Sequence, residues 1–413
     1  MATPKNVFWN NNAFVIYLAL IFFIAPVLGY ADNLTATQHL TASYHIPTPC
    51  DKLQLAPLIE SLKFSLATCD NTLLASRIEY RIGVLYTKTK QFQLARSWFV
   101  RVLARSQCPV LIRTTALNML AQLDRLEGKA FSCLEYFGRI IDQLQKDFPG
   151  NDRMKLPSAL TQLWMSAHLA RAEIFQKQQN HASSAREYKS LIDLISQSSF
   201  NLPDPSLLPE LLDRGAAAYF QAGHLDTYLD LTDQLTRCCA IYPRLPQIRF
   251  EAACARFCRT HKVSIDNIKG PAVLPVQIIS AVKKNKKHID TTVLLQTLQQ
   301  LTEQYNEHPN AAQLIYHYGW LLDALGKTHE ATEVFSRFHV LPISDSFSTL
   351  QSYGQVCHAL LLTEQAHYVQ AAKILDTLPP FAHGSHQAQI TDALIKNIKL
   401  LKGQLPDREN TND

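Results

Sequence analysis

Two stretches decide how this chain is read: GVLYTKTKQFQLARSWFVRV, residues 83–102, and GWLLDALGKTHEATEVFSRF, residues 319–338. In the first, Tyr86 stands three positions after Gly83, Phe92 nine, Ala95 twelve, Phe99 sixteen and Val102 nineteen. In the second, Leu322, Ala331, Phe335 and Phe338 stand three, twelve, sixteen and nineteen after Gly319, with Gly326 at seven. One template therefore recurs in segments more than 200 residues apart. Small residues on two successive helices let their backbones approach closely. Large apolar residues at helical spacing then fill the space between neighbouring pairs.

Weaker copies of the template lie between and after these two. Leu117, Leu120, Ala121, Gly128, Cys133, Phe137 and Ile140 fit one unit, with Cys133 in the alanine place. Ala172, Phe175, Ala185, Tyr188 and Leu191 suggest another. Ala216, Tyr219, Gly223, Leu225 and Leu235 suggest a further unit, in which Tyr228 takes the alanine place and forces a wider packing. Gly354 begins the last, with its alanine late at Ala371 or Ala372, so a turn several residues longer is expected there. Gly128, Gly223 and Gly326 fall where one helix ends and the next begins, as a helix C-cap requires.

This template resembles the tetratricopeptide repeat, over most of residues 71–380. The resemblance implies an all-α fold, a right-handed superhelical solenoid of antiparallel helix pairs. Composition points the same way. Glycine is 13 of 413 residues, roughly 3%, against about 7% in average proteins. Nucleotide-binding α/β folds and β-rich folds need glycine for phosphate loops, turns and bulges, so both are disfavoured. Apolar residues make up 47% and charged residues 18%, enough for a core and too few charges for a disordered chain.

The organisation expected along the chain has six parts. Residues 1–31 read as a signal peptide: Lys5 is followed by an uncharged run from Ala13 to Leu28, a break at Pro26, and small residues at Gly29 and Ala31. Residues 32–70 form a lead segment and helix, 71–245 the N-terminal repeats, and 246–300 an irregular helical or linker region with the basic run Lys283, Lys284, Lys286 and Lys287. Residues 301–380 hold the C-terminal repeats, and 381–413 a capping helix and polar tail. Asn201 to Pro209, with three prolines, reads as a loop between units, and Asp290 to Tyr305 as a helix. Nine cysteines are an odd number; Cys50 with Cys69, or Cys238 and Cys239 with Cys254 and Cys258, are the near neighbours for pairing in an oxidising compartment.

Motifs for catalysis fail on inspection. Gly326-Lys327-Thr328 lacks the glycine five places earlier that a phosphate loop needs, since Leu321 stands there. His329-Glu330 lacks the second histidine of a zinc-protease helix. Cys254, Cys258 and His261 share one helix face and with Cys238 or Cys239 could ligate zinc, but buried thiols or a disulfide account for them better. No catalytic residue, metal site or cofactor is assigned. The lysine run has no aromatic interleaving for base stacking, so no nucleic-acid partner is expected.

In the tetratricopeptide family the first helix of each repeat lines a concave groove. By offset, the resemblance implies partner-binding roles for Arg77, Tyr80, Arg81 and Lys88 around Gly83, with Val84 and Thr87 beside them. Around Ala121 it implies Asn118, Gln122 and Arg125. Around Gly319 it implies Tyr316 and Trp320, next to His317 and Asp323, and around Gly354 it implies Gln351 and Gln355, next to His358. Amides bond a peptide backbone and arginines grip carboxylates, so the first half suits an acidic peptide. The function expected is a non-catalytic protein–protein interaction scaffold of the cell envelope, secreted or periplasmic, binding a peptide or protein partner in that groove. It would meet a membrane only through the signal segment before cleavage. The alternatives are an accessory region of an envelope enzyme and a structural homo-oligomeric component.

Overall fold

The computed structural model describes residues 52–149, 156–197, 207–265, 268, 270–284, 289–306, 308, 311–341 and 348–378, with single positions 40, 393 and 396. The signal-peptide reading, Cys50, most of the 201–209 loop, the capping helix and the tail lie outside these residues. Among the described residues every regular element is a helix. The chain divides into two units, Met1–Pro203 and Asp204–Asp413.

The first unit contains α1 (Lys52–Ala67), α2 (Thr72–Lys88), α3 (Phe92–Ala104), α4 (Val110–Leu126), α5 (Ala130–Asp147), α6 (Ser158–Lys177) and α7 (His181–Gln197). Asn71 caps α2, its Oδ1 accepting from the Leu73 and Leu74 N–H groups at 2.9 and 3.0 Å. The pairs α2/α3, α4/α5 and α6/α7 pack most closely, and each then stacks on the next. One core joins Ile78, Ile82, Leu85, Ala95, Phe99 and Leu120, and another joins Ala121, Cys133, Phe137, Leu163 and Trp164.

The second unit contains α8 (Leu207–Gln221), α9 (Leu225–Cys238), α10 (Leu245–Thr260), α11 (Leu274–Lys284), α12 (Thr292–Gln304), α13 (Ala312–Ala324), α14 (Thr328–Ser336), α15 (Ser348–Glu364) and α16 (Tyr368–Asp376). Short 3₁₀ turns sit at Pro271–Val273 and Arg337–His339. The helix expected over 290–305 is α12, with Leu294, Leu298 and Leu301 buried. Pro209, expected in a loop, stands instead in the first turn of α8, where its missing N–H has no helical partner to lose.

A single turn recurs in six helix pairs. Three residues separate the paired helices, and the middle one is left-handed: Lys90 (φ 60°), Gly128 (74°), Gln179 (60°), Gly223 (81°), Gly326 (78°) and Ala366 (65°). The N–H that follows donates to the carbonyl five residues back in every case, at 2.8 to 3.0 Å, as in Gln91 to Tyr86 and His367 to Leu362. This is the Schellman closure of a helix end. Seven residues before each left-handed position stands the small residue of the template: Gly83, Ala121, Ala172, Ala216, Gly319 and Ala359.

That register corrects two expectations. In the last pair the small residue is Ala359, not Gly354, and Ala371 lies twelve positions on; both are fully buried, and the turn has the common length. Gly354 packs instead on Phe338 of the preceding 3₁₀ turn, where an added Cβ would lie 2.3 Å from the ring. In the α6/α7 pair Ser184, not Ala185, takes the alanine place, and its Oγ donates to the Ala172 carbonyl at 3.0 Å.

Candidate functional site

The first helices of the first unit carry a polar row at equivalent positions. Three before the small residue stand Tyr80 and Asn118; one after it stand Val84, Gln122 and Glu173; four after it stand Thr87, Arg125 and Gln176. Tyr80, Thr87, Lys88, Asn118, Gln122, Arg125 and Glu173 are half-buried, and Arg77 and Gln176 are exposed. Arg125 Nη2 donates to Glu173 Oε2 at 3.2 Å, which ties α4 to α6 along the row. Glu173 was not singled out from sequence, although its offset from Ala172 is that of Gln122 from Ala121. Among the described residues, Asn118 and Gln122 donate and accept no side-chain hydrogen bond, so both amides are uncommitted.

Two expected members of this row point elsewhere. Arg81 is 1% exposed and Val84 is equally buried, so neither is presented to solvent. Arg81 lies on the α2 face that joins the core, between buried Ile78 and Leu85.

Behind the row, ion pairs lock the helix pairs. Arg105 grips buried Glu79 with both Nε and Nη2, at 2.6 and 3.0 Å, and Arg96 reaches buried Asp124 at 2.6 Å. In α6/α7 the Trp164 Nε1–H donates to His168 Nε2 at 2.9 Å, which leaves the His168 proton on Nδ1 to donate to Glu187 at 2.6 Å. Arg171 Nε donates to the other Glu187 oxygen at 2.7 Å. Burial alone would raise the Glu187 carboxyl, but the hydrogen bonds from His168 and Arg171 and the Arg171 charge prevail and hold it below its usual value.

In the second unit Tyr316 and Trp320 meet edge to face at 6.4 Å, and both rings lean on Phe335 at 6.2 Å. Burial pushes the Tyr316 phenol up to about 12. His317 is half-buried and stacked on Phe250 at 5.6 Å, and loss of solvent around the ring pulls it down to about 4. Gln351 Nε2 donates to the Phe338 carbonyl at 2.9 Å, and Gln355 lies 3.5 Å from His339 Nδ1. His339 and His358 share a hydrogen bond of 3.0 Å. With Ala359 as the small residue, Gln351 and Gln355 serve the junction with the preceding turn, and the row positions on α15 fall to Val356, Leu360 and Thr363. Sequence offsets from Gly354 missed this by five residues.

Cys254 and Cys258 are buried free thiols, and His261 tilts over Phe257 at 4.4 Å. The described cysteines are all unpaired, and Cys238 and Cys239 Sγ lie 3.2 Å apart. Among the described residues no group of three or more His, Cys, Asp or Glu is placed to hold a metal ion. No described helix is long and apolar enough to cross a membrane.

The paired helices, the shared turn and the small-residue contacts define an all-α helical repeat protein. More narrowly, it is a tetratricopeptide-like one. No family model matches the chain, and no curated protein matches it. Solved structures do. A tetratricopeptide repeat protein from Parabacteroides merdae is 12% identical over 88% of this chain and 99% of its own, with a TM-score of 0.33. A signal-transduction ATPase with a tetratricopeptide repeat sensor from Pyrococcus horikoshii is 11% identical over 96% of this chain and 56% of its own, with a TM-score of 0.40. Rap protein complexed with competence and sporulation factor is 11% identical over 95% of this chain and 94% of its own, with a TM-score of 0.31.

Proposed function

We propose that the protein is a non-catalytic interaction scaffold that binds an extended peptide segment along the polar row of the first unit. The observation that carries this is the pair of uncommitted amides, Asn118 and Gln122, one turn apart on a first helix. A primary amide offers two donors and an acceptor, the complement of a peptide group. Lys88, Arg125 and exposed Arg77 add positive charge, so acidic side chains in the partner are favoured. Glu173 answers Arg125 from α6 and sets where the cationic stretch ends. The scaffold acts after export, in the cell envelope or secretory space; the charge, apolar run and small residues of positions 1–31 support that placement.

Selection from a displayed library of random peptides tests the reading. The full chain should enrich peptides rich in Asp and Glu, and the variant Asn118→Ala/Gln122→Ala should lose that enrichment with its helical circular dichroism intact. Equal enrichment by both proteins overturns it. A mature N-terminus at Asp32, read by mass spectrometry on protein from its native source, tests the placement.

A further inference from the structure

The α8/α9 pair breaks the packing rule of the other pairs. Tyr228 occupies the alanine place opposite Ala216, where the other pairs carry Ala95, Cys133, Ser184, Ala331 and Ala371. A phenol cannot nest against a neighbouring backbone as a methyl group does, so Tyr228 reaches past the paired helix towards α10. Tyr228 lines a pocket of about 110 Å³ together with Arg244 and the Pro271-Ala272 turn. Ala216 and Ala217 of α8, Ile248 of α10 and the Pro271-Ala272 turn form its apolar wall.

Its polar groups are incompletely paired. Tyr228 is 2% exposed, and its hydroxyl has no hydrogen-bond partner. A buried hydroxyl without a partner is destabilising, so it points to a ligand group that completes it. Asp213 Oδ2 accepts from Tyr242 at 3.0 Å and from Arg244 at 2.5 Å, so the one guanidinium at the pocket already has its carboxylate. Glu251 is 3% exposed and bonded only to the Gln247 amide, at 2.7 Å. Among the described residues Glu251 makes no direct ion pair; Arg244 acts on it only at longer range, its contact going to Asp213.

We propose that this pocket binds a small organic ammonium ion, its N–H groups donating to Glu251 and to the Tyr228 hydroxyl and its short alkyl part lying against Ala216, Ala217 and Ile248. A cavity of about 150 Å³ takes a six-atom ring, so this one takes about four heavy atoms. A carboxylate ligand would need a guanidinium that Asp213 does not already hold. This site is separate from the peptide row, and either can fail alone.

The groups facing Glu251 are Asp213 from α8, Tyr228 from α9, and Arg244, Gln247 and Cys254 on α10 and its entry; the Pro271-Ala272 turn brings none that titrates. Burial pushes the Glu251 carboxyl up to about 7. An ammonium ion binds the ionised form, so affinity rises with pH through that region.

Titration calorimetry of the full chain with n-propylammonium chloride is the test. Saturable binding is expected at pH 8, weaker by about thirtyfold at pH 5.5, as the ionised fraction of a carboxyl near 7 falls. Glu251→Gln should weaken binding at least tenfold, Tyr228→Phe several-fold, and Ala217→Leu, which fills the pocket from a half-buried position, should abolish it. Circular dichroism and melting of each variant confirm folding. No saturable heat with the wild type, equal binding by Glu251→Gln, or binding of propionate in place of propylammonium overturns the proposal.

Discussion

Ser184 Oγ donates to the carbonyl of Ala172 at 3.0 Å, across the closest approach of two paired helices. Cys133 Sγ makes the equivalent contact to the Ala121 carbonyl at 3.2 Å. Both residues stand twelve positions after their partners, where other pairs place alanine. The site thus admits one small polar atom pointed at the facing backbone. Cys133→Ala should change stability by less than about 1 kcal/mol, because it loses one weak bond and keeps the fit. Cys133→Leu should cost about 1–3 kcal/mol by overpacking a fully buried position. Urea unfolding of the two variants separates these outcomes.

The close-packing glycines behave in the opposite sense to a helix-propensity rule. An added Cβ at Gly83 would lie 2.7 Å from Phe99 Cε1, and at Gly319 it would lie 2.7 Å from Phe335. Alanine is preferred to glycine in a helix by about 1 kcal/mol, yet Gly83→Ala should destabilise by about 1–3 kcal/mol, because the clash outweighs the propensity. Phe99→Leu in the same chain should recover part of that loss. Thermal melting of the single and double variants measures it.

The turns give a stabilising series. Lys90, Gln179 and Ala366 hold the left-handed conformation without being glycine, at a cost of about 1 kcal/mol each. Lys90→Gly, Gln179→Gly and Ala366→Gly should each raise stability by about 0.5–1 kcal/mol, and Gly128→Ala should lower it by a similar amount. Melting temperatures that move the other way would show that these turns are not strained.

These turns also explain how far the sequence could be read. The pairs marked by Gly128, Gly223 and Gly326 announce their turns, but those at Lys90, Gln179 and Ala366 carry no glycine and are silent. Around Gly354 the only visible small residue was the wrong one, because Ala359 is an unremarkable residue in an apolar run, and the register slipped by five. The helix pairs themselves were legible, since close approach demands small residues at a fixed spacing. The polar row was legible only in part. Offsets located Asn118, Gln122 and Arg125, but burial of Arg81 depends on what packs over α2, and the Glu173 contact depends on α6.

Arg81 and the two amides therefore give contrasting variants. Arg81→Ala removes a long, fully buried side chain and should cost about 2 kcal/mol or more through lost packing and lost polar contacts. Asn118→Ala and Gln122→Ala remove half-buried groups with no protein partner and should stay within about 0.5 kcal/mol of the wild type. Denaturant midpoints decide between a structural and a binding role for each.

Acid should unlock the α6/α7 network. Glu187 is held below its usual value in the fold, so its contribution is present above the unfolded carboxyl value, about 4.5, and is lost as pH falls below it. At pH 7 Glu187→Gln should cost about 2 kcal/mol, the worth of hydrogen bonds to a charged group. The difference from the wild type should shrink as the pH is lowered from 5 towards 3. A difference that stays constant with pH would mean that Glu187 acts through shape alone.

Glu251 has the opposite sign. Burial raises its carboxyl to about 7 in the fold, against about 4.5 unfolded. The folded chain therefore binds a proton that the unfolded chain has released across that window. This contribution is fully present below about pH 4.5 and is lost as pH rises through 7. The shift corresponds to about 3 kcal/mol between the two limits. Glu251→Gln keeps the shape and the neutral polar group without the charge, so it should be more stable than the wild type at pH 8 and close to it at pH 5. Propylammonium at saturating concentration should raise the melting temperature of the wild type at pH 8, where it offsets the buried charge, and leave that of Glu251→Gln unmoved. A stability gap between the two proteins that is the same at pH 5 and pH 8 would show that Glu251 keeps its charge in the fold at both.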